Sequence, residues 1–260
     1  VGDIANPRLE TSGEQRGEKT MSTYPVKLKE RKEVAQGTMG FWLERPAGFE
    51  FKPGQAMEVK LINPSETDGE GNSRAFSIAS APHEKDLLVA TRMRDTAMKR
   101  CMGKLVPGAS VELDGPFGDL KLHTRATRPA VFLAGGIGIT PFRSIVLDAA
   151  KNKLPHRIWL FYSNRRPEDA AFLEDLQRAE KENPSFTMIA TMTEMEKSSR
   201  PWTGKRGFVD QEMIREAVGD LTAPIFYMAG PPGMIGAMHK LLLDAGVNED
   251  DIRAEEFAGY

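Results

Sequence analysis

Apolar positions along the chain follow two rhythms. In the first part they alternate with polar or small residues: Met39, Phe41 and Leu43 interleave with Gly40, Trp42 and Glu44. A period of two sends successive side chains to opposite faces of a strand. Further strands are predicted over residues 56–62, 74–79, 87–93 and 110–113. Pro53-Gly54, Asn63-Pro64, Ala81-Pro82 and Pro107-Gly108 punctuate them as turns. The polar stretch 64–73 reads as an exposed loop. Several short strands joined by turns predict a small antiparallel barrel.

The rhythm changes near Arg128. Apolar runs at 130–134, 157–162, 186–191, 225–229 and 252–257 read as strands. Between them, helical spacing appears over 141–150, 168–180, 210–218 and 232–245. In the first helix Phe142, Ile145, Val146 and Ala149 share a face, and Gly246 stops the last. Alternating strands and helices predict a parallel sheet covered on both sides. The expected division is a polar, disordered extension at 1–20, a barrel at 21–125 and an α/β domain at 126–260.

Composition narrows the chemistry. The 260 residues suffice for two modest domains, and the net charge of -2 gives no basic excess for nucleic acid. Cys101 is the only cysteine, which excludes an internal disulfide and a four-cysteine cluster. His83, His123, His156 and His239 are scattered without ligand spacing, so no metal site is expected. The apolar stretches at 130–142 and 225–238 are too short for membrane spans and are broken by Gly and Pro. Residues 1–20 lack the apolar core of a secretory signal. A cytoplasmic protein without membrane insertion is the expectation.

Five local patterns carry candidate chemistry. After the strand at 130–134 come Gly135, Gly136, Gly138, Thr140 and Pro141, with Thr140 expected as N-cap and Pro141 as the first helical residue. Small residues at a helix N-terminus let backbone amides approach a phosphate. They also suit any tight strand–helix turn. Arg74-Ala75-Phe76-Ser77 lies on a strand with Arg74, Phe76 and Ile78 on one face. Gly115-Pro116-Phe117-Gly118 and Ala229-Gly230-Pro231-Pro232-Gly233-Met234 are expected as turns after strands. The last pattern is Glu255-Glu256-Phe257, with Tyr260 beyond it.

In this order and spacing the patterns resemble the ferredoxin–NADP(H) reductase family across nearly all of residues 24–260. The resemblance implies an antiparallel Greek-key barrel that binds FAD, followed by a parallel-sheet domain that binds NADH or NADPH. It implies an FAD-dependent NAD(P)H oxidoreductase that passes electrons to a separate carrier such as a ferredoxin. Arg74 would pair with the flavin diphosphate, with Ala75 beside it, and Phe76, where the family usually has Tyr, would lie against the flavin. Ser77 would sit near flavin N5 and share a catalytic role with Glu255 and Phe257. Thr91 and Met93 would flank the flavin. Thr96 and Lys99 match a second phosphate-contacting segment, although a serine is common where Lys99 stands. Lys99-Arg100 reads equally well as a solvated basic pair.

The same resemblance assigns Gly135, Gly136, Gly138, Thr140 and Pro141 to the nucleotide diphosphate, and Gly230, Pro231 and Met234 to the nicotinamide side. Ala229 stands where the family often has Cys. Phe257 is favoured over Tyr260 as the aromatic shield of the flavin. Glu194 stands after the strand at 186–191, where a carboxylate suits ribose hydroxyls and repels a 2′-phosphate, so NADH is favoured. Arg165, Arg166, Lys205 and Arg206 are available for the opposite choice. Alternatives are a reductase of free flavin or of a small ferric complex, and an electron-transfer subunit of a larger complex. A non-catalytic flavin or nucleotide sensor ranks below both. Lys27, Lys29, Arg31 and Lys32 could dock an acidic carrier, but they alternate with Glu30 and Glu33 and read better as a solvated edge strand.

Overall fold

A computed structural model describes residues 23–257. Its first half is a six-stranded antiparallel sheet made of β1 (Thr23–Ala35), β2 (Thr38–Leu43), β3 (Ala56–Leu61), β4 (Ser73–Ser77), β5 (Leu87–Arg92) and β6 (Ser110–Phe117). The order is β4-β3-β6-β1-β2-β5. Just past β4, Ala79 N donates to Leu88 O of β5 at 2.7 Å, so the two ends of the order meet and the sheet curls into a barrel. Val26, Leu28, Phe41, Leu43, Met57, Val59 and Leu113 fill the interior. A short helix, α1 (Ala97–Lys104), follows β5 and buries Met98 and Met102 on the same core.

The second half is a parallel sheet of β7 (Ala130–Gly135), β8 (Ile158–Asn164), β9 (Phe186–Met192), β10 (Lys205–Arg206), β11 (Ile225–Gly230) and β12 (Ile252–Glu256). Its order is β10-β9-β8-β7-β11-β12. The helices are α2 (Ile139–Lys151), α3 (Leu173–Glu182), α4 (Gln211–Val218) and α5 (Pro232–Asp244). Along β7 the side chains of Ala130, Phe132 and Ala134 enter one core, while Val131 and Leu133 enter another. Burial on both faces explains why these strands read as continuous apolar runs.

The fold class is as expected from the sequence, with several local differences. β1 is not an edge strand: it lies between β6 and β2. Its bulges between Leu28 and Glu30 and between Glu33 and Ala35 break the alternation. Lys27, Lys29 and Lys32 project from its exposed side. The expected turn at Gly115-Pro116-Phe117 is instead the last part of β6. Thr140 is not an N-cap, nor is Pro141 the first helical residue. A 3-10 turn over Gly136–Gly138 runs into α2, Gly138 is the capping position, and Thr140 Oγ1 donates to Ile137 O at 3.0 Å. The helix expected over 168–180 starts later. A 3-10 turn at Pro167–Asp169 comes first, and Phe172 takes a left-handed conformation (φ 59°) just before α3. The tail at 1–20 and Tyr260 lie outside the described residues. Among the described residues no helix is long and apolar enough to cross a membrane.

The two halves share one apolar core. Ala79, Leu88 and Ala90 of the barrel pack with Phe132, Phe142, Ile145 and Tyr162. Ser144 Oγ donates to Ser80 O at 2.7 Å, and Gln36 N donates to Glu168 O at 2.8 Å. Arg143 crosses the seam from α2, 6% exposed. Its guanidinium donates to Ala79 O, Glu84 and Asp175, and it lies 5.0 Å from the Phe172 ring centre.

Candidate functional site

After β10 the chain returns to the other side of β7 to form β11, so the strand order reverses between β7 and β11. Ligands of open α/β sheets bind beyond the carboxyl ends of strands at such a reversal. The loops there are the glycine run after β7 and Gly230-Pro231 after β11. They touch: a Cβ on Gly135 would meet Met234 Sδ at 2.4 Å, and one on Gly138 would meet Ala229 O at 2.1 Å. The glycines are therefore required by the contact between loops, apart from any role toward a phosphate. Pro141 is buried within α2.

A cavity of about 670 Å³ opens between these loops and the barrel. From the barrel, Arg74, Ala75, Phe76 and Ser77 of β4, Thr91 and Arg92 of β5, and Thr96 and Lys99 at the start of α1 reach it. From the other side come Ile137, Thr140, Glu255 and Phe257. Most of the residues selected from the sequence for a flavin thus meet on one surface. Met93 does not; it packs against the barrel core. Glu194 is also elsewhere, in the turn after β9, where it pairs with Lys197 at 2.8 Å. That contact, above all, holds its carboxyl below the usual range, with Arg165 and Arg166 adding to the effect.

Three features of the cavity have chemical weight. Ser77 is 3% exposed, and its Oγ has no hydrogen-bond partner within the protein. A buried hydroxyl without a partner is costly, and a ligand in the cavity can supply one. Burial raises the pKa of Glu255, which keeps more of it protonated near neutrality. Phe257 is tied down by its N–H to Gly230 O at 3.0 Å and packs on the shared core.

The cations divide unequally. Arg74 is held by its own loop: Nε to Glu70 Oε2 at 2.8 Å, Nη2 to Asp68 Oδ1 at 2.7 Å, and Nη1 to the carbonyls of Glu70, Gly71 and Ser73. Arg92, not selected from the sequence, faces the cavity and lies 3.5 Å from Asp169, whose side chain is 3% exposed. Arg166 also binds that carboxylate, at 2.9 Å, and reaches Gln36 of the barrel at 3.0 Å. No simple pattern marks Arg92 or Asp169, because their meeting depends on how the two halves dock. Burial, then the nearby Arg94 and Arg74, lowers the pKa of Lys99. Among the described residues no group of three His, Cys, Asp or Glu could hold a metal ion.

Known proteins share this arrangement. Residues 132–240 match the oxidoreductase NAD-binding domain family. One component of the Na(+)-translocating NADH-quinone reductase of Methylococcus capsulatus is 30% identical over 203 residues, which are 72% of this chain and 49% of that protein. The ferredoxin NADP+ reductase of Neisseria gonorrhoeae, solved with bound FAD and NADP, superposes with a TM-score of 0.74 at 23% identity, covering 90% of this chain and 98% of that one. The chain has the fold of the ferredoxin–NADP(H) reductases, and its residues 132–240 match the oxidoreductase NAD-binding domain. Another relative, reductase component 1 of the terephthalate 1,2-dioxygenase of a Comamonas species, is 28% identical over 83% of this chain and 62% of its own length. The chain spans about half the length of the NADH-quinone reductase component. Within the ferredoxin–NADP(H) reductase fold, the cavity lies where the barrel faces the nucleotide-binding sheet.

Proposed function

We propose that this chain binds FAD in the cavity between its two halves, takes a hydride from NADH, and passes electrons to a separate one-electron carrier. The observation that carries this reading is the orphaned Ser77 hydroxyl in a cavity walled by both halves. The cavity volume is in the range of cofactor sites, and its mix of apolar and polar walls suits a ring system with a polar edge. When bound, FAD supplies acceptance of a hydride and release of single electrons.

The protein's part is placement and exclusion of water. Ser77 Oγ would donate a hydrogen bond at flavin N5. Phe76 offers an apolar wall from the barrel, and Phe257 offers one from the end of β12. Glu255 lines the same cavity, and burial raises its pKa, so it can take part in holding a proton at the cavity wall. The glycine loop after β7 and Gly230-Pro231 with Met234 would take the nicotinamide dinucleotide at the strand reversal. Close, aligned approach accounts for much of the rate in such a transfer.

NADH is favoured over NADPH because Glu194 places a carboxylate beyond β9, and because the quinone reductase relative is named for NADH. A carrier protein as acceptor follows the same relatives, one of which is a reductase component. The cytoplasm, where reduced nicotinamides are held, completes the reading. The retention of Arg74 by Asp68 and Glu70 favours a second reading, a reductase whose flavin exchanges with solution. The deciding experiment is the visible spectrum of the purified chain, without oxygen, before and after NADH and then NADPH. Rapid loss of the flavin bands with NADH is the expected result. A chain that takes up no FAD on reconstitution would refute the proposal.

A further inference from the structure

Arg74 is the cation that the family pattern assigns to the flavin diphosphate, yet its donors are already used. A guanidinium has five N–H groups. Here Nε and one Nη2 hydrogen go to Glu70 and Asp68, and both Nη1 hydrogens face three backbone carbonyls. At most one N–H remains, whereas a bidentate clamp on phosphate takes two in parallel. The charge balance is also unfavourable: one guanidinium faces two carboxylates, and the cluster is net negative toward an incoming anion. Asp68, Glu70 and Arg74 all line the cavity.

Lys99 lines the same cavity from the first turn of α1, behind the Thr96 cap. Among the described residues no carboxylate lies within ion-pair distance of its ammonium group, and its charged neighbours Arg94 and Arg74 are cations. An incompletely solvated cation without a counter-ion is stabilised by an arriving anion far more than one that is already paired.

We propose that Lys99 is the principal anchor of the flavin diphosphate in this chain, and that Asp68 and Glu70 form an internal anion competing with the diphosphate for Arg74. This rests on the flavin reading above. Asp68 and Glu70 occupy a tight turn, with Gly71 N donating to Asp68 O at 2.9 Å and Glu70 N to Asp68 Oδ1 at 3.1 Å. The Glu70 side chain is 77% exposed, so it is the part of the turn most easily displaced. The consequence is a weakened hold on the phosphates, while the ring end of the site is unaffected.

The test uses the full chain freed of flavin, titrated with FAD and separately with riboflavin, which has the ring but no phosphate, and followed by flavin fluorescence. Lys99→Met is expected to weaken FAD binding about tenfold to a hundredfold and to leave riboflavin binding unchanged. Asp68→Asn combined with Glu70→Gln is expected to tighten FAD binding about tenfold, again without moving riboflavin. If Lys99→Met leaves FAD affinity unchanged, or if neutralising the turn weakens it, the assignment is overturned. Should Lys99→Met fail to fold, shown by loss of riboflavin binding as well, the turn variant alone decides. An unsubstituted chain that binds neither flavin overturns the flavin reading and this assignment together. Flavin binding that no substitution moves overturns the assignment alone.

Discussion

Arg143→Met isolates the clamp that joins the barrel to the nucleotide-binding sheet. The substitution keeps much of the aliphatic stem and removes the charge. All five guanidinium hydrogens are engaged: Nε and Nη2 with Asp175 Oδ2 at 2.9 and 2.7 Å, Nη1 with Ala79 O and Glu84 Oε2 at 2.8 Å each, and Nη2 with Glu84 Oε1 at 3.1 Å. Burial alone would depress the Arg143 pKa, but Glu84 and Asp175 outweigh it and the pKa is raised. Removing one member of a buried charge cluster leaves the others uncompensated, at about 3–5 kcal/mol. The Glu84 and Asp175 side chains are 30% and 25% exposed, so water regains part of what they lose. The expected destabilisation is therefore at the lower end, about 3 kcal/mol, read by urea denaturation at neutral pH with circular dichroism. Adding Glu84→Gln and Asp175→Asn to the same chain is expected to recover part of that loss, because the stranded charges go with the cation. A loss below about 1 kcal/mol would place Arg143 among ordinary surface ion pairs and refute the argument.

Gly138→Ala sets a Cβ against backbone atoms, Ala229 O at 2.1 Å and Gly230 N at 2.7 Å, which cannot rotate away. A loss of about 3 kcal/mol or more is expected, seen as a lower thermal midpoint. Glu255→Gln tests the raised pKa. Because the folded pKa lies above the unfolded one, the carboxyl's favourable contribution is full below the unfolded value and is lost as pH rises through the folded one. The variant should therefore be the more stable chain at neutral pH, with the advantage shrinking as pH falls through the folded pKa and gone below about pH 4.5. A constant difference across that range would show that Glu255 is not the titrating group. Glu194→Ser leaves Lys197, Arg165 and Arg166 in place, so NADPH affinity should rise about fivefold while NADH affinity falls because its ribose loses the carboxylate acceptor, both measured by fluorescence titration.

The two-part architecture was legible because each rhythm has its own physical cause. The α/β strands bury both faces and read as solid apolar runs, and the barrel strands other than β5, which is buried on both faces, come closer to alternation. β1 escaped this logic after Leu28, because two bulges shift which side each residue faces and the remaining side chains are almost all charged. β10 has only two residues and carries no periodicity. The site was legible as a set of residues but not as a set of partners. Arg74, Phe76, Ser77, Thr91, Lys99 and Glu255 do converge on one cavity. The sequence could not show that Asp68 and Glu70, in what reads as a plain polar loop, fold back onto Arg74. Nor could it show Arg92 meeting Asp169 across the seam, since that contact exists only once both halves are docked.

β12 has a bearing on chronology. It supplies Glu255 and leads directly into Phe257, while the opposite wall comes from β4, much earlier in the chain. Contacts between such distant stretches form slowly, because a long connecting loop has to close before they contribute anything. During refolding the barrel and the central strands can assemble while the cavity still lacks its last wall. Flavin capture should then lag behind secondary structure, and a stopped-flow trace of flavin fluorescence should trail the far-ultraviolet dichroism signal of the same sample.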